Sequence, residues 1–266
     1  MKATREGCVT LVRSIAYHSS EWALFLAECS RLAYDQFHQN GLFTVPEGFK
    51  VVKEFKAKSF HHLEWFGFIL ESEETIVIAF RGTSTDLDWI SDAEIFQHQF
   101  QHCKSKPLVH GGFLSVYESV RDEIVTTLES LPKEKALFIT GHSLGGALAV
   151  LNAFDIGSNN LHDQFYMYNY GAPRVGDEQF VEEYKKVCPA SIRYVNLLDA
   201  VPFLPTTKLY GPISKKTWYY RHVPKAIHFI KREGSIVKNH SIDTYIEAIE
   251  KEISDKRNNT SEIIIY

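Results

Sequence analysis

Residues 136–149 read ALFITGHSLGGALA, and this stretch decides the fold. Its opening, ALFITGH, is an almost continuous apolar run, which is typical of a strand buried on both faces. The chain from Ser143 to Phe154 is predicted to be a helix. The pattern G-x-S-x-G, here Gly141 to Gly145, therefore falls on the turn between a buried strand and a helix.

Ser143 is the predicted nucleophile of this turn. A serine hydroxyl is a poor nucleophile, so it must be held near a base and near donors that stabilise an oxyanion. A tight strand-to-helix turn exposes the hydroxyl, and the helix N-terminus supplies the backbone N–H of Leu144 as one donor. The alternative is a glycine-rich turn with an incidental serine, and the strand and helix on either side count against it.

The flanking segments predict the fold class. Helices are predicted from Ser20 to Tyr34, Leu114 to Leu131, Gln179 to Lys186 and Ser241 to Lys251. Strands are predicted at EWFGFIL from Glu64, TIVIAF from Thr75, FYMYNY, SIRYVNL, TWYYRH and AIHFI. Alternating strands and helices indicate an α/β fold, with a mostly parallel central sheet and helices on both faces. We expect a single domain over residues 1–266.

Asp199 is the predicted acid. In folds with this turn, the acid and then the base follow the serine along the chain. Asp199 comes directly after the strand-like SIRYVNL, and the carboxyl ends of strands are where α/β sheets assemble their sites. An aspartate that only caps a turn is the alternative. Asp155, Asp163 and Asp177 also follow the serine, but none of them directly ends a strand.

His240 is the predicted base among three downstream histidines. His222 and His228 fall in the strand-like TWYYRH and AIHFI, where a histidine is more often a half-buried sheet residue. His240 falls in a loop before the last helix, from which its side chain can reach the sheet edge. A histidine that merely begins a helix is the alternative. The histidines lack HExxH-type spacing, so we expect no metal and no cofactor.

Thr83 is predicted to give the second oxyanion donor. The strand-like TIVIAF leads directly into Arg81-Gly82-Thr83. This order puts the Thr83 N–H, together with its hydroxyl, at the carboxyl end of a neighbouring strand. The alternative is a plain strand-ending turn, and the RGT sequence favours an oxyanion hole only in combination with the G-x-S-x-G turn.

The composition excludes some classes of protein. The chain has 29 Lys and Arg against 33 Asp and Glu, a net charge of −4 and no long basic tract, so we expect no nucleic-acid partner. No apolar run is long enough for a transmembrane segment, and no secretory leader is evident. The 4 cysteines form no CxxC pair. We expect reduced thiols and a cytoplasmic location, with disulfides or a secreted mature chain as the alternatives.

Five sequence blocks occur in order between Ala79 and Tyr245. They are AFRGTSTDLDWISD, VHGGFLSVY, ITGHSLGGALA, YGAPRVGD with LLDAVPFLP, and NHSIDTY. These blocks resemble the fungal-type class 3 lipases, the α/β-hydrolase family of the Rhizomucor and Thermomyces lipases, feruloyl esterases and bacterial relatives. The resemblance implies Ser143 as nucleophile, Asp199 as the orienting acid and His240 as base.

The resemblance also implies an oxyanion hole formed by Thr83 and Leu144, with Asp92 accepting a hydrogen bond from the Thr83 hydroxyl. The expected activity is hydrolysis of carboxylic esters in lipids, triacylglycerols or related acylglycerols, through an acyl-enzyme intermediate. The nearest alternatives are a phospholipase A1 and a small aryl-ester esterase with the same triad. A non-catalytic binding or signalling module on the same fold is a further alternative.

A short lid after the RGT sequence is the last feature that the resemblance implies. In residues 84–92, Leu87 and Ile90 fall on one helical face, Trp89 at its border, and Asp88 with Asp92 on the other face. Such a helix can cover the pocket in water and turn its apolar face towards a lipid surface. We therefore expect transient lipid contact through the lid. The alternative is a fixed helix whose Trp89 packs into the core.

Overall fold

The computed structural model describes residues 19–59, 62–83, 96–211 and 215–261. Its strands are β1 (Lys50–Ser59), β2 (His62–Glu71), β3 (Thr75–Phe80), β4 (Gln97–Gln99), β5 (Leu108–His110), β6 (Ala136–His142), β7 (Phe165–Tyr170), β8 (Ser191–Asn196), β9 (Lys208–Gly211), β10 (Lys216–Tyr219) and β11 (Ala226–Phe229). Its α-helices are α1 (Ser20–His38), α2 (Gly111–Glu129), α3 (Leu144–Asn159), α4 (Glu178–Val187), α5 (Ile236–His240) and α6 (Ile242–Ser261), and Val201–Phe203 form a 3-10 turn.

The main sheet has seven strands in the order β1-β2-β3-β6-β7-β8-β11. The first two pairs are antiparallel, and all pairs from β3 to β11 are parallel. The predicted mostly parallel sheet is therefore confirmed. Because parallel strands end at one edge, the loops after β3, β6 and β8 bring Thr83, Ser143 and Asp199 to the same edge.

Successive residues of the central strands face opposite sides of the sheet. In β6, Leu137 and Ile139 pack with the apolar faces of α2, α3 and α4. Ala136 and Phe138 face the other way and pack with α1 and α6. Full burial of a Leu, Ile or Phe side chain contributes about 1.5–3 kcal/mol, which explains why this strand is apolar on both faces. The predicted helices on both faces of the sheet are confirmed.

The C-terminal region differs from the sequence prediction around two histidines. Strand β10 ends at Tyr219, so His222 lies beyond it and not in a strand. His240 is the last residue of the short helix α5, and not part of a loop. The helix forms because the Ser235 hydroxyl accepts a hydrogen bond at 3.2 Å from the Lys238 N–H, which caps it one turn before the predicted final helix.

Cys29, Cys103 and Cys188 carry free thiols, as the sequence predicts, and Cys8 lies outside the described residues. Burial raises the pKa of the Cys29 and Cys188 thiols, so both stay protonated and unreactive. Among the helices of the described residues, none is long and apolar enough to cross a bilayer.

Candidate active site

Ser143 occupies a strained backbone conformation between β6 and α3. Its φ is 57° and its ψ is −127°, a combination that residues with a Cβ rarely adopt. Its N–H donates to the Tyr170 carbonyl at 3.0 Å, and its own carbonyl accepts from the Ala147 N–H at 3.2 Å. Strand β7 and the first turn of α3 therefore hold the strained turn in place.

The two glycines of the motif allow this turn to pack closely against its neighbours. A Cβ at Gly145 would lie 2.3 Å from the Phe80 carbonyl oxygen, and a Cβ at Gly141 would lie 2.2 Å from the Gly145 carbonyl oxygen. A larger residue at Gly145 would push α3 away from the end of β3, and one at Gly141 would push α3 away from β6. The glycines thus bring the chain that follows β3 next to Ser143.

Ser143, His240 and Asp199 form one hydrogen-bonded chain. Ser143 Oγ lies 2.8 Å from His240 Nε2, and His240 Nδ1 lies 2.7 Å from Asp199 Oδ2. A carboxylate only accepts, so Nδ1 carries the proton and Nε2 accepts from the serine hydroxyl. This arrangement can move the hydroxyl proton onto the imidazole. The structure thus brings together the three residues that the sequence singles out.

Asp199 is 1% exposed, and several donors compensate its burial. The Val201 N–H donates to Oδ1 at 2.9 Å, and the Tyr245 hydroxyl donates to Oδ2 at 2.6 Å. Burial and the neighbouring carboxylate raise the pKa of Tyr245 well above its ordinary value, so its hydroxyl remains a donor. Tyr245 could not be singled out from the sequence, because its role depends on a contact across 46 residues.

Three of the rival acids and bases, Asp155, Asp177 and His222, make other contacts in the fold. Asp155 is buried and accepts from the Arg121 guanidinium at 2.6 Å, and Asp177 caps α4. His222 Nε2 lies 2.5 Å from a backbone carbonyl, and burial, followed by nearby arginines, lowers its pKa to about 3. His228 is exposed on the edge strand β11. None of these four residues lies in the hydrogen-bonded chain with Ser143.

The predicted oxyanion donors flank the nucleophile. Gly82 lies so close to the nucleophile that a Cβ on it would be 3.0 Å from the Ser143 Cβ. The next residue, Thr83, is half-buried. Leu144 is the first residue of α3, so its N–H is one of the helix N-terminal donors without an intrahelical partner. The partial positive charge of that helix end favours a developing oxyanion.

The Ser143 hydroxyl was predicted to be exposed, but the residue is only 3% exposed. Its side chain is enclosed between the His240 imidazole and the backbone of Gly82. The predicted lid, with Leu87, Trp89, Ile90 and Asp92, lies outside the described residues.

Two side chains behind the nucleophile, His142 and Tyr34, extend this network, and neither was singled out from the sequence. His142 Nε2 lies 2.6 Å from the His240 carbonyl oxygen, and its Nδ1 lies 2.8 Å from the Tyr34 hydroxyl. The rings of His142 and His240 are 4.6 Å apart. The position of His142 next to Ser143 in the sequence could have pointed to His142. Nothing in the sequence points to its contact with Tyr34, which lies 108 residues away.

Comparison with known proteins places the chain in one family. The model of the family described as lipase (class 3) matches residues 77–209, which is half of the chain. A lipase from Rhizomucor miehei is 38% identical over 146 residues, which cover 51% of this chain and 39% of the relative. The chloroplastic phospholipase A1-Igamma2 from Arabidopsis thaliana is 30% identical over 182 residues, which cover 53% of this chain and 34% of the relative.

Solved lipase structures share the fold. The native Rhizomucor miehei lipase in complex with its propeptide superposes with a TM-score of 0.61 at 23% identity, covering 91% of this chain and 80% of that one. The lipase from Rhizopus microsporus var. chinensis gives 0.64 at 24% identity, covering 80% and 74%. The chain spans only part of the length of its curated relatives, 39% of the Rhizomucor miehei lipase and 34% of phospholipase A1-Igamma2. Its fold is that of the fungal lipases, and the chain belongs to the class 3 lipase family.

Proposed function

We propose that this protein is a serine carboxylic-ester hydrolase that cleaves triacylglycerols or related acylglycerols. The observation that carries the proposal is the chain from Ser143 through His240 to Asp199, with its two hydrogen bonds of 2.8 and 2.7 Å. The similarity to a lipase at 38% identity supports the choice of lipid esters as the substrate class. The proposed reaction needs no cofactor and no metal.

In the proposed mechanism, His240 takes the proton from the Ser143 hydroxyl as the oxygen attacks the ester carbonyl. Asp199 holds the imidazole in the required tautomer and stabilises its charged form. The N–H groups of Thr83 and Leu144 bind the oxyanion, and a single donor of this kind contributes roughly 3–4 kcal/mol. His240 then protonates the leaving alcohol, and water cleaves the acyl-enzyme with His240 again as base.

A phospholipase A1 is the second candidate, and the comparisons give it specific support. The phospholipase A1-II 1 of rice is 26% identical over 238 residues, which cover 77% of this chain. The same triad would cleave the outer acyl ester of a phospholipid, because the chemistry at the carbonyl is identical. Small aryl esters remain a third substrate class. The pocket side chains decide among them, and fold alone does not.

A panel of three substrates tests the proposal. Initial rates are measured on a triacylglycerol emulsion, on phosphatidylcholine vesicles and on p-nitrophenyl butyrate, with wild type and Ser143→Ala. We expect the acylglycerol to give the highest kcat/KM, and Ser143→Ala to abolish all three rates. If the outer acyl chain of phosphatidylcholine is released faster than acyl chains of the acylglycerol, the protein is a phospholipase A1 and not a lipase. A folded wild-type protein without activity on any ester would contradict ester hydrolysis itself.

The burial of Ser143 supports a cover that moves, and the lid predicted at residues 84–92 is our candidate. We expect the rate on an acylglycerol to jump at its solubility limit, with a smaller jump in the Leu87→Ser/Trp89→Ser double variant. Smooth saturation through that limit would contradict a lid. The cytoplasmic location also remains a proposal, which cell fractionation of the native source tests.

A further inference from the structure

A line of hydrogen bonds and close contacts behind the nucleophile links four elements of the fold. Gly82 follows β3, Tyr34 lies on α1, His142 ends β6 and His240 ends α5. The Tyr34 hydroxyl lies against Gly82, where an added Cβ would be 2.2 Å from it, and it lies 2.8 Å from His142 Nδ1. His142 Nε2 in turn lies 2.6 Å from the His240 carbonyl oxygen. The line therefore joins the segment that carries Thr83 to the proposed base.

The direction of each hydrogen bond follows from the atoms that take part. A carbonyl oxygen only accepts, so His142 Nε2 must carry a proton and donate to His240. Burial, and then the nearby His240, lower the pKa of His142 well below its ordinary value, which keeps the ring neutral. A neutral ring with its proton on Nε2 accepts at Nδ1, so the Tyr34 hydroxyl donates there.

Both ends of this line act on atoms that the reaction needs in place. His240 is the last residue of α5, a helix of 5 residues whose terminal carbonyls have no intrahelical donors. The bond from His142 therefore holds the main chain of His240. At the other end, a Cβ on Gly82 would lie 2.2 Å from the Tyr34 hydroxyl, so that hydroxyl lies directly against the backbone before Thr83.

We propose that Tyr34 and His142 are positioning residues, which together fix the proposed base and the oxyanion segment relative to Ser143. Neither touches the substrate in this proposal. Their effect is on the alignment of the reacting groups, so they control kcat more than substrate binding. The proposal rests on the proposed ester hydrolysis, because alignment matters only if Ser143 and His240 carry out the reaction.

A double-mutant cycle on a short soluble ester tests this proposal. Tyr34→Phe and His142→Phe each remove one member of the line and keep an aromatic ring in its place. We expect each to lower kcat by about 10- to 100-fold with KM nearly unchanged, because a misplacement of roughly 1 Å can cost that much. In the double variant we expect little further loss, since both residues act through the same line.

His142→Gln and Tyr184→Phe are the matched variants for this cycle. Gln keeps an N–H donor at a reach similar to that of Nε2, so we expect it to recover most of the kcat lost in His142→Phe. Tyr184 is a fully buried tyrosine, whereas Tyr34 is half-buried, and the Tyr184 hydroxyl bonds Ser191 at 2.8 Å, away from this line. Tyr184→Phe loses a comparable buried hydrogen bond, and we expect its kcat to equal that of wild type.

Three results would overturn the proposal. The first is a kcat within about twofold of wild type in folded Tyr34→Phe. The second is a double variant in which the two losses in kcat multiply independently. The third is a loss of kcat in Tyr184→Phe equal to that in Tyr34→Phe. If His142→Phe does not fold, the comparison of Tyr34→Phe with Tyr184→Phe still decides. A failure of ester hydrolysis is seen separately, as a wild-type protein that does not hydrolyse the ester at all.

Discussion

Tyr245 donates its hydroxyl hydrogen bond to Oδ2 of Asp199, the same carboxylate oxygen that faces His240. The two distances to this oxygen are 2.6 Å from the tyrosine and 2.7 Å from His240 Nδ1. The other carboxylate oxygen is held by the Val201 N–H at 2.9 Å. The carboxylate therefore has one fixed orientation, with a lone pair of Oδ2 directed at the imidazole.

Removing this tyrosine hydroxyl tests how far the orientation of the carboxylate matters. In Tyr245→Phe, Asp199 keeps the bonds from His240 and Val201 but loses a charge-assisted donor. We expect kcat on a soluble ester to fall about tenfold with KM unchanged, in line with the value of hydrogen bonds to charged groups. Unaltered kcat in the folded variant would show that the bond from Tyr245 has no part in the reaction.

The three downstream histidines should differ sharply in an alanine series. His240→Ala removes the proposed base, and loss of a triad member costs on the order of 10⁴ to 10⁶ in turnover. His222→Ala and His228→Ala should stay within about tenfold of wild type, because neither contacts the Ser143 chain. Circular dichroism checks that each variant is folded. A small loss in His240→Ala, or an equal loss in either control, would contradict the assignment of the base.

Thr83 offers a separate test of the oxyanion hole. Thr83→Ala keeps the backbone N–H and removes the hydroxyl, so we expect kcat to fall by as much as about 10²- to 10³-fold without a change in Tm. Thr83→Ser, which keeps the hydroxyl, should retain most of the activity. Asp92→Asn should show a milder defect if Asp92 orients that hydroxyl. Wild-type kcat in Thr83→Ala would limit this residue to its backbone donor.

The buried His110 predicts a specific loss of stability in acid. Burial, and then the nearby His98, lower the pKa of His110 from 6.5 to about 3. Between these pH values, His110 is neutral in the folded chain and protonated in the unfolded chain. His110 therefore costs no stability above pH 6.5, and the free energy of unfolding falls as the pH drops from 6.5 towards 3. Between pH 7 and pH 5 this one residue should remove about 2 kcal/mol from the free energy of unfolding.

His110→Asn is the variant that isolates this effect. Asn cannot titrate, yet it can still cap α2, where the His110 side chain now accepts from the Phe113 N–H. Urea unfolding at both pH values should show a drop that is about 2 kcal/mol smaller in the variant than in wild type. An equal drop in both proteins would mean that His110 is not the titrating group.

The elements with strong apolar patterns could be predicted from the sequence, and those without them could not. ALFITGH and FYMYNY are β6 and β7 with the predicted bounds. Strand β1 was missed because KVVKEFKAKS carries lysines along its length, as suits an edge strand whose exposed face meets water. Helix α5 was missed because its apolar residues Ile236 and Val237 are exposed, so the segment has no buried stripe.

The candidate site shows the same limit. Ser143, Asp199 and His240 could be singled out because chain order and strand ends restrict the choice. Tyr34 and Tyr245 could not, because the atoms they contact belong to residues that are 108 and 46 positions away. Such contacts arise only when the sheet and helices are assembled, so local spacing carries no trace of them.

Covalent labelling with a fluorophosphonate tests the central claim, that Ser143 is an activated nucleophile, most directly. The protein is treated in the presence of detergent micelles, so that a cover over the buried serine can open, and the labelled peptide is identified by mass spectrometry. The account predicts one label per chain, on Ser143, with loss of ester hydrolysis in proportion to labelling. It also predicts no label in Ser143→Ala and much slower labelling in His240→Ala. Labelling of the folded wild-type chain on another residue would contradict it. Ester hydrolysis by Ser143→Ala at the wild-type rate would contradict it as well.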